Sequence, residues 1–152
     1  MKIDRKILLL ALAAAIMAVT FIQSQIHPQK ENSLMKSYTF LLADTKEKRN
    51  AGLSDKDSLP ADTVLLFSYG EDGKCSIWMK DMKFSIDVVW LDDNFTVVDL
   101  KEGLSPDTYP QAFSPISPCR YFIEAEEGFI RTNNIRIDDK VSVDFTNSLL
   151  NF

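Results

Sequence analysis

The chain predicts a mostly β domain, an antiparallel β-sandwich or partly closed barrel with one or two short helices, preceded by an N-terminal hydrophobic helix. Three observations predict it. Apolar residues recur with a period of two along most of the chain, turn residues separate those runs, and one unbroken apolar stretch at the front stands apart in composition. At 152 residues there is room for one domain and an appendage.

The appendage comes first. Lys2, Arg5 and Lys6 precede the run Ile7 to Ile22, whose one polar member is Thr20. A spanning helix needs roughly 17 to 25 apolar residues and a cleavable signal about 7 to 15, so the run lies between the two classes. Ala18-Val19-Thr20 is the best cleavage site, but Phe21 follows it, which favours an uncleaved anchor over residues 1–24. The basic flank then stays in the cytoplasm and the rest lies outside the membrane, with secretion after cleavage as the alternative. Residues 25–36, with Pro28, Gln29, Lys30, Glu31, Asn32 and Ser33, carry no apolar period and predict a flexible tether. The β-domain is expected over 37–146 and a tail over 147–152.

Within the domain, Asp44-Thr45-Lys46-Glu47 offers a capping carboxylate and a Glu three places on, and Gly52 can take a left-handed cap, so a helix is expected over 45–51. Strands are expected at Tyr38 with Phe40, at Val64 with Leu66, and over Cys75–Asp81 and Ile86–Asp92. Asp93-Asn94 reads as a two-residue hairpin turn leading into Phe95–Lys101, with Trp90 opposite Val97. Arg120, Phe122 and Glu124 alternate with Tyr121, Ile123 and Ala125. Val141, Val143 and Phe145 alternate with Lys140, Ser142 and Asp144. Between them, Glu102 to Cys119 holds four of the six prolines (Pro106, Pro110, Pro115, Pro118), which keeps it out of a sheet interior. This long loop retains Tyr109 and Phe113, which either fasten it to the core or form part of a binding surface.

The stretch Cys75 to Asp92 is the most aromatic and β-branched of the chain, yet it carries Lys80 and Asp87. Ile77-Trp78-Met79-Lys80 followed by Ile86-Asp87-Val88 resembles the signature of the domain of unknown function 192 family, in which an aromatic-Trp-Met-Lys segment precedes an apolar-Asp-apolar strand. Gly52-Leu53 matches a further Gly-Leu pair of that family, although Ser54 stands where Met is common. Asp138-Asp139 stands where the family commonly has Gly-Asp. The resemblance covers roughly Tyr38 to Phe145 and implies a β fold without implying a reaction.

Several chemistries are excluded by what is missing. The one histidine, His27, lies in the tether, so no Ser-His or Cys-His pair can form inside the domain. Two cysteines without a domain histidine cannot build a structural zinc site, and the five glycines form no phosphate-cradling motif. Neither Asp92-Asp93 nor Asp138-Asp139 sits in a calcium-loop pattern, so no metal and no cofactor is expected. A net charge of −5 disfavours nucleic acid as a partner.

Carboxylates and one lysine remain. A hairpin of Cys75–Asp81 with Ile86–Asp92 across Met82–Ser85 places Lys80 opposite Asp87 and Trp78 opposite Val89, with Trp78 buried as core; a one-residue slip breaks the pairing. Asp87 must find a partner in Lys80 or in backbone amides, and this structural reading stands ahead of a catalytic one. Catalysis needs Asp87 and Glu124 in one cleft, with Lys80 the third candidate. Cys75 shares a strand face with Ile77 and Met79. It is either a buried thiol or a disulfide partner of Cys119, the bridge closing about 4 kcal/mol of loop entropy.

The sequence thus predicts a membrane-tethered, extracytoplasmic binding or accessory module rather than an enzyme. Its ligand site is expected at Trp78, Lys80, Asp87, Tyr109 and Phe113, with an envelope protein or a glycan as partner. A carboxylate-dependent hydrolase of envelope polysaccharide and a structural envelope protein are the alternatives.

Overall fold

A computed structural model describes residues 12–18, 31–32 and 38–143. The tail over 147–152, Phe145, most of the tether and the remainder of the apolar run lie outside the described residues. Residues 12–18 form a helical segment (α1) with exposed side chains. Among the described residues no helix is long and apolar enough to cross a membrane.

Among the described residues nine strands follow, in the order β1 (Glu31–Asn32), β2 (Thr39–Ala43), β3 (Thr63–Gly73), β4 (Ile77–Trp78), β5 (Ile86–Leu91), β6 (Val97–Leu104), β7 (Ala112–Phe113), β8 (Cys119–Glu126) and β9 (Lys140–Val141). Helix α2 (Lys46–Ala51) lies between β2 and β3, and α3 (Phe129–Thr132) follows β8. The domain is mostly β, but its centre is one open five-stranded sheet in the order β2-β3-β8-β5-β6. It does not close into a barrel, and it is mixed: β2 runs parallel to β3, and the remaining pairs are antiparallel. A parallel pair needs a crossover, and here α2 supplies it.

Both faces of this sheet are covered. One carries Leu41, Leu65, Phe67, Val88, Trp90 and Phe122, packed beneath Leu53, Cys75, Ile77 and Met79. The other carries Phe40, Val64, Leu66, Val89, Leu91 and Ile123, packed against Phe129, Ile130, Ile135 and Val141. Every residue of β5 is therefore buried, which explains an apolar run without alternation. Two small ribbons help close the faces: β4 with β7 on the first, and the parallel pair β1 with β9 on the second.

The expected helix forms, with its cap one residue later than Asp44. Thr45 Oγ1 accepts from the Lys48 amide at 3.3 Å, while Asp44 pairs with the Lys48 ammonium at 3.3 Å. Gly52 ends α2 at φ 49°, in the region that disfavours a Cβ. Residues 86–91 and 97–104 pair as expected, but a register irregularity places Trp90 opposite Asp99 and Leu91 opposite Val97. The turn is longer than two residues: Asp92 Oδ1 accepts from the Asn94 and Thr96 amides at 2.8 Å each, and Phe95 takes the positive φ.

The hairpin expected between Cys75–Asp81 and Ile86–Asp92 does not form. Strand β5 is central, held by β6 and β8, so both its edges are occupied. Strand β4 instead pairs with β7 inside the proline-rich segment, with Trp78 opposite Ala112 and Ile77 opposite Phe113. That segment is structured elsewhere as well, by a 3-10 turn at Pro106–Thr108 and a cis Tyr109–Pro110 bond. Cys75 and Cys119 are joined in a disulfide, with Cα atoms 6.1 Å apart, and the Trp90 indole N–H donates to the Cys75 carbonyl at 2.8 Å. Strand β4 is thereby fastened to the start of β8.

Candidate functional site

The register of β5 on β8 sets Asp87 opposite Ala125 and Val88 opposite Glu124. Neighbouring residues of a strand point to opposite faces, so Asp87 and Glu124 lie on opposite faces of the sheet. They share no cleft. A general acid and base pair made of these two is excluded by the register itself.

Asp87 is 1% exposed, and both of its oxygens are engaged. Oδ1 accepts from the Gly103 amide at 2.9 Å, and Oδ2 accepts from Gly128 at 3.1 Å and Ile130 at 2.9 Å. The partners are backbone amides and not Lys80, because β4 lies over the other face. Asp87 thus ties the bulge of β6 at Gly103, where φ is 60°, to the first residues of α3. Lys80 sits exposed beyond β4, with its ammonium 3.9 Å from Asp81.

Glu124 has the opposite environment. It is 6% exposed, between Leu65 and Val88 on the neighbouring strands, and its Oε2 is buried with no hydrogen-bond partner. Burial pushes its carboxyl up to about 8, so the side chain is neutral at pH 7. It lies at the base of a cleft of about 970 Å³. Phe67, stacked on Phe122 with ring centroids 4.1 Å apart, lines the same base. Gly52 keeps the base open: a Cβ there would stand 3.4 Å from the Phe67 ring and 3.9 Å from Glu124 Oε2.

One wall comes from α2. The Arg49 guanidinium donates to the Asp44 and Ser68 carbonyls at 2.7 and 2.8 Å and lies 4.9 Å from the centre of the Tyr69 ring. Burial pushes the Tyr69 phenol up; Arg49 opposes that shift and Glu124 adds to it. The segment after α2 closes on the segment after β4 through two hydrogen bonds, Ser54 Oγ to the Lys80 carbonyl at 2.9 Å and the Asp55 amide to the Asp81 carbonyl at 2.8 Å.

Trp78 forms the mouth. It is 57% exposed, against the expectation of a buried ring. Exposure alternates strictly from Cys75 to Lys80, with Cys75, Ile77 and Met79 buried and Ser76, Trp78 and Lys80 exposed. The alternation was legible in the sequence: assigning Cys75, Ile77 and Met79 to one face assigns Trp78 to the other. Tyr109 meets the indole edge-on, 6.1 Å between centroids, and is itself 45% exposed. Phe113 is half-buried against the core, with the Lys101 ammonium 5.8 Å from its ring centre. Of the sequence-predicted residues, Trp78, Lys80 and Glu124 line one cleft, Tyr109 buttresses it, and Asp87 belongs to the other face. Sequence reasoning named Gly52 only as a helix cap and a family match, and missed Tyr69 and Asp81, of which Asp81 stands at φ 56° on the rim. Among the described residues no group of three or more His, Cys, Asp or Glu side chains is placed to hold a metal.

Comparison with known proteins fits this architecture. The chain is 34% identical over 105 residues to a UPF0127 protein of Thermococcus gammatolerans, covering 69% of this chain and 66% of that one. It is 34% identical over 101 residues to a UPF0127 protein of Thermococcus kodakarensis, covering 66% and 62%. The chain therefore spans slightly less than two thirds of these relatives' length. Two crystal structures share the fold. One is a Sinorhizobium meliloti protein described as a candidate transcription regulator (TM-score 0.64, 22% identity, 68% of this chain and 79% of that one). The other is a Novosphingobium aromaticivorans protein of unknown function (TM-score 0.64, 17% identity, 68% and 73%). The family pattern described as "Uncharacterized ACR" matches residues 19–143, and with the signature strands in place the chain belongs to the DUF192 family.

Proposed function

We propose that this protein is a binding or accessory module, tethered to a membrane with its β-domain outside the cytoplasm, and that its ligand occupies the cleft between Glu124 and Trp78. One observation carries the reading. A buried carboxyl with an unpartnered oxygen lies at the base of an open cleft whose mouth holds an exposed indole. An unsatisfied buried oxygen costs roughly 1–3 kcal/mol, which a ligand supplying a donor would recover. Tethering is supported by the basic flank ahead of Ile7–Ile22, and the extracytoplasmic side by the disulfide, since such bonds persist in oxidising compartments. The acidic net charge gives no support to a nucleic-acid role.

The test is a thermal-shift screen of the purified protein against small polar ligands, run beside Trp78→Ala and Glu124→Leu. A ligand of the cleft raises the melting temperature of the parent and has little effect on either variant. A ligand that stabilises all three equally would overturn the assignment of this cleft.

A second reading, a hydrolase of envelope polysaccharide, is favoured by one feature: a carboxyl held neutral at pH 7 is the state required of a general acid. Its second carboxylate would have to be Asp81 or Asp55 on the cleft wall, since Asp87 is sequestered. Release of reducing ends from cell-wall glycan by the parent, abolished in Glu124→Gln, would establish it.

A further inference from the structure

Resting on the reading of the Glu124 cleft as the ligand site, we propose that its ligand is a neutral polyhydroxylated molecule of the saccharide class. One ring hydroxyl hydrogen-bonds Glu124, and a C–H face of the ring lies against Trp78.

The choice among ligand classes follows from what Glu124 can do where it sits. As a neutral acid it offers one O–H donor and retains acceptor capacity, the same complement that a sugar hydroxyl presents in return. A cationic amine would demand the ionised carboxylate, and it would take two charges out of water together, an exchange whose desolvation cost commonly exceeds the attraction gained. An anionic ligand meets a base that carries no positive group. On the wall, Lys46, Arg49 and Lys80 stand against Asp55 and Asp81; Arg49 donates through Nη1 to the Asp44 and Ser68 carbonyls, and the Lys80 ammonium lies 3.9 Å from Asp81. At the base, beside Glu124, a neutral ligand leaves no charge buried without compensation.

Trp78 gives the second half of the argument. An aromatic ring on a two-residue strand, 57% exposed while its neighbours Ile77 and Met79 are buried, contributes little to the core. Its strand is nevertheless paired, β4 to β7, and Tyr109 meets the ring edge-on. A half-exposed indole gives a flat apolar face for one side of a sugar ring. Asn50, Ser54 and Ser76 on the same cleft supply neutral polar groups for its edge.

The arrangement carries a pH signature. The other charged or titratable groups around the cleft are Lys46 and Arg49 on α2, Asp55 beyond it, Tyr69 on β3, and Lys80 and Asp81 beyond β4. Between pH 6 and 9 the Tyr69 phenol, moved further up by burial, keeps its proton. Glu124 is the group that ionises in that interval, losing its donor and becoming a charge that a bound sugar would seal from water.

The experiment is isothermal titration calorimetry of the purified full-length protein with maltohexaose, cellohexaose and N-acetylchitohexaose. The glucosamine and galacturonate hexamers serve as cationic and anionic arms, and each titration is run at pH 6 and pH 9. At least one neutral oligomer binds at pH 6 without proton exchange and about tenfold more weakly at pH 9, as one ionisation near 8 requires. Glu124→Gln, which keeps a donor and an acceptor, binds equally at both pH values. Trp78→Ala, a surface change that leaves the fold intact, weakens binding at least tenfold. Preference for the glucosamine hexamer with proton release, or for the galacturonate hexamer, overturns the neutral class; if binding still depends on Trp78, the cleft reading stands. Binding indifferent to Trp78→Ala overturns the cleft reading as well. Absence of heat with every oligomer overturns the saccharide class, while the thermal-shift screen decides the cleft separately.

Discussion

Asp87 and Glu124 lie within one residue of directly opposite each other on adjacent strands, yet one is saturated and the other is not. Asp87 faces the side closed by α3 and the β6 bulge, and three backbone amides converge on it. Glu124 faces the side where β4 arches over and leaves a gap, and its Oε2 meets no donor. The same chemical group becomes a structural anchor where backbone donors converge and a vacant hydrogen-bonding position where they do not. Burial alone identifies neither role; the partner count does.

The comparison can be broken first at Asp87. Asp87→Ala strands three amides, that of Ile130 buried and those of Gly103 and Gly128 partly so, and at about 1–3 kcal/mol for a buried donor a loss of about 3–5 kcal/mol is expected in chemical denaturation. Asp87→Asn should lose roughly half as much, because its oxygen can serve two amides while its NH2 opposes the third. A parent-like melt for both would remove Asp87 from the framework.

Next comes the bridge on the Glu124 side. The double variant Cys75→Ala with Cys119→Ala should lose about 4 kcal/mol, the chain entropy of a loop with a sequence separation of 44. Unchanged stability relative to the oxidised parent would show that the reduced chain is already held by packing.

Glu124 sharpens the contrast through pH. Its folded value of about 8 lies above the ordinary 4.5, so the native state binds the proton more tightly than the unfolded chain does. The associated stability is fully present below pH 4.5 and is lost as pH rises through about 8, at about 1.4 kcal/mol per unit. Glu124→Gln should therefore match the parent near pH 5 and exceed it by about 4 kcal/mol at pH 9, read from denaturation midpoints across that range. A parent whose stability does not fall over the interval would mean that Glu124 is hydrated in solution.

The smallest effect is expected at the mouth. Trp78→Ala should change stability by less than about 1 kcal/mol, whereas Trp90→Ala, removing a buried ring and its bond to the Cys75 carbonyl, should cost about 3–5 kcal/mol. Comparable losses from both would return Trp78 to the core.

Legibility in the sequence followed the range of the interactions. Local ones were readable: the alternation of Phe122 and Glu124 with Ile123 and Ala125, and the capping segment before Lys46. That Asp87 needs a partner was readable too, but not whether Lys80 or backbone amides from distant segments supply it. Pairings between distant segments were not. Four residues between two apolar runs suggest a hairpin at Met82–Ser85, but β5 takes β8 and β6, and nothing in the two residues Ala112–Phe113 advertises a partner for β4. The parallel β2–β3 pair was hidden for the same reason, since alternation specifies faces and not neighbours. The site was half visible. Its residue types were in view, but assigning Asp87 and Glu124 to opposite faces required the register between their strands.

The disulfide links the segment leading into the strand that bears Trp78 to the strand bearing Glu124, so one covalent bond joins the mouth of the cleft to its base. The ordering of these two surfaces is completed during oxidative folding, so any molecule that entered the cleft would meet them at a fixed separation. On the proposed reading, reduction would weaken capture by returning to the binding step a conformational search that the bond had completed.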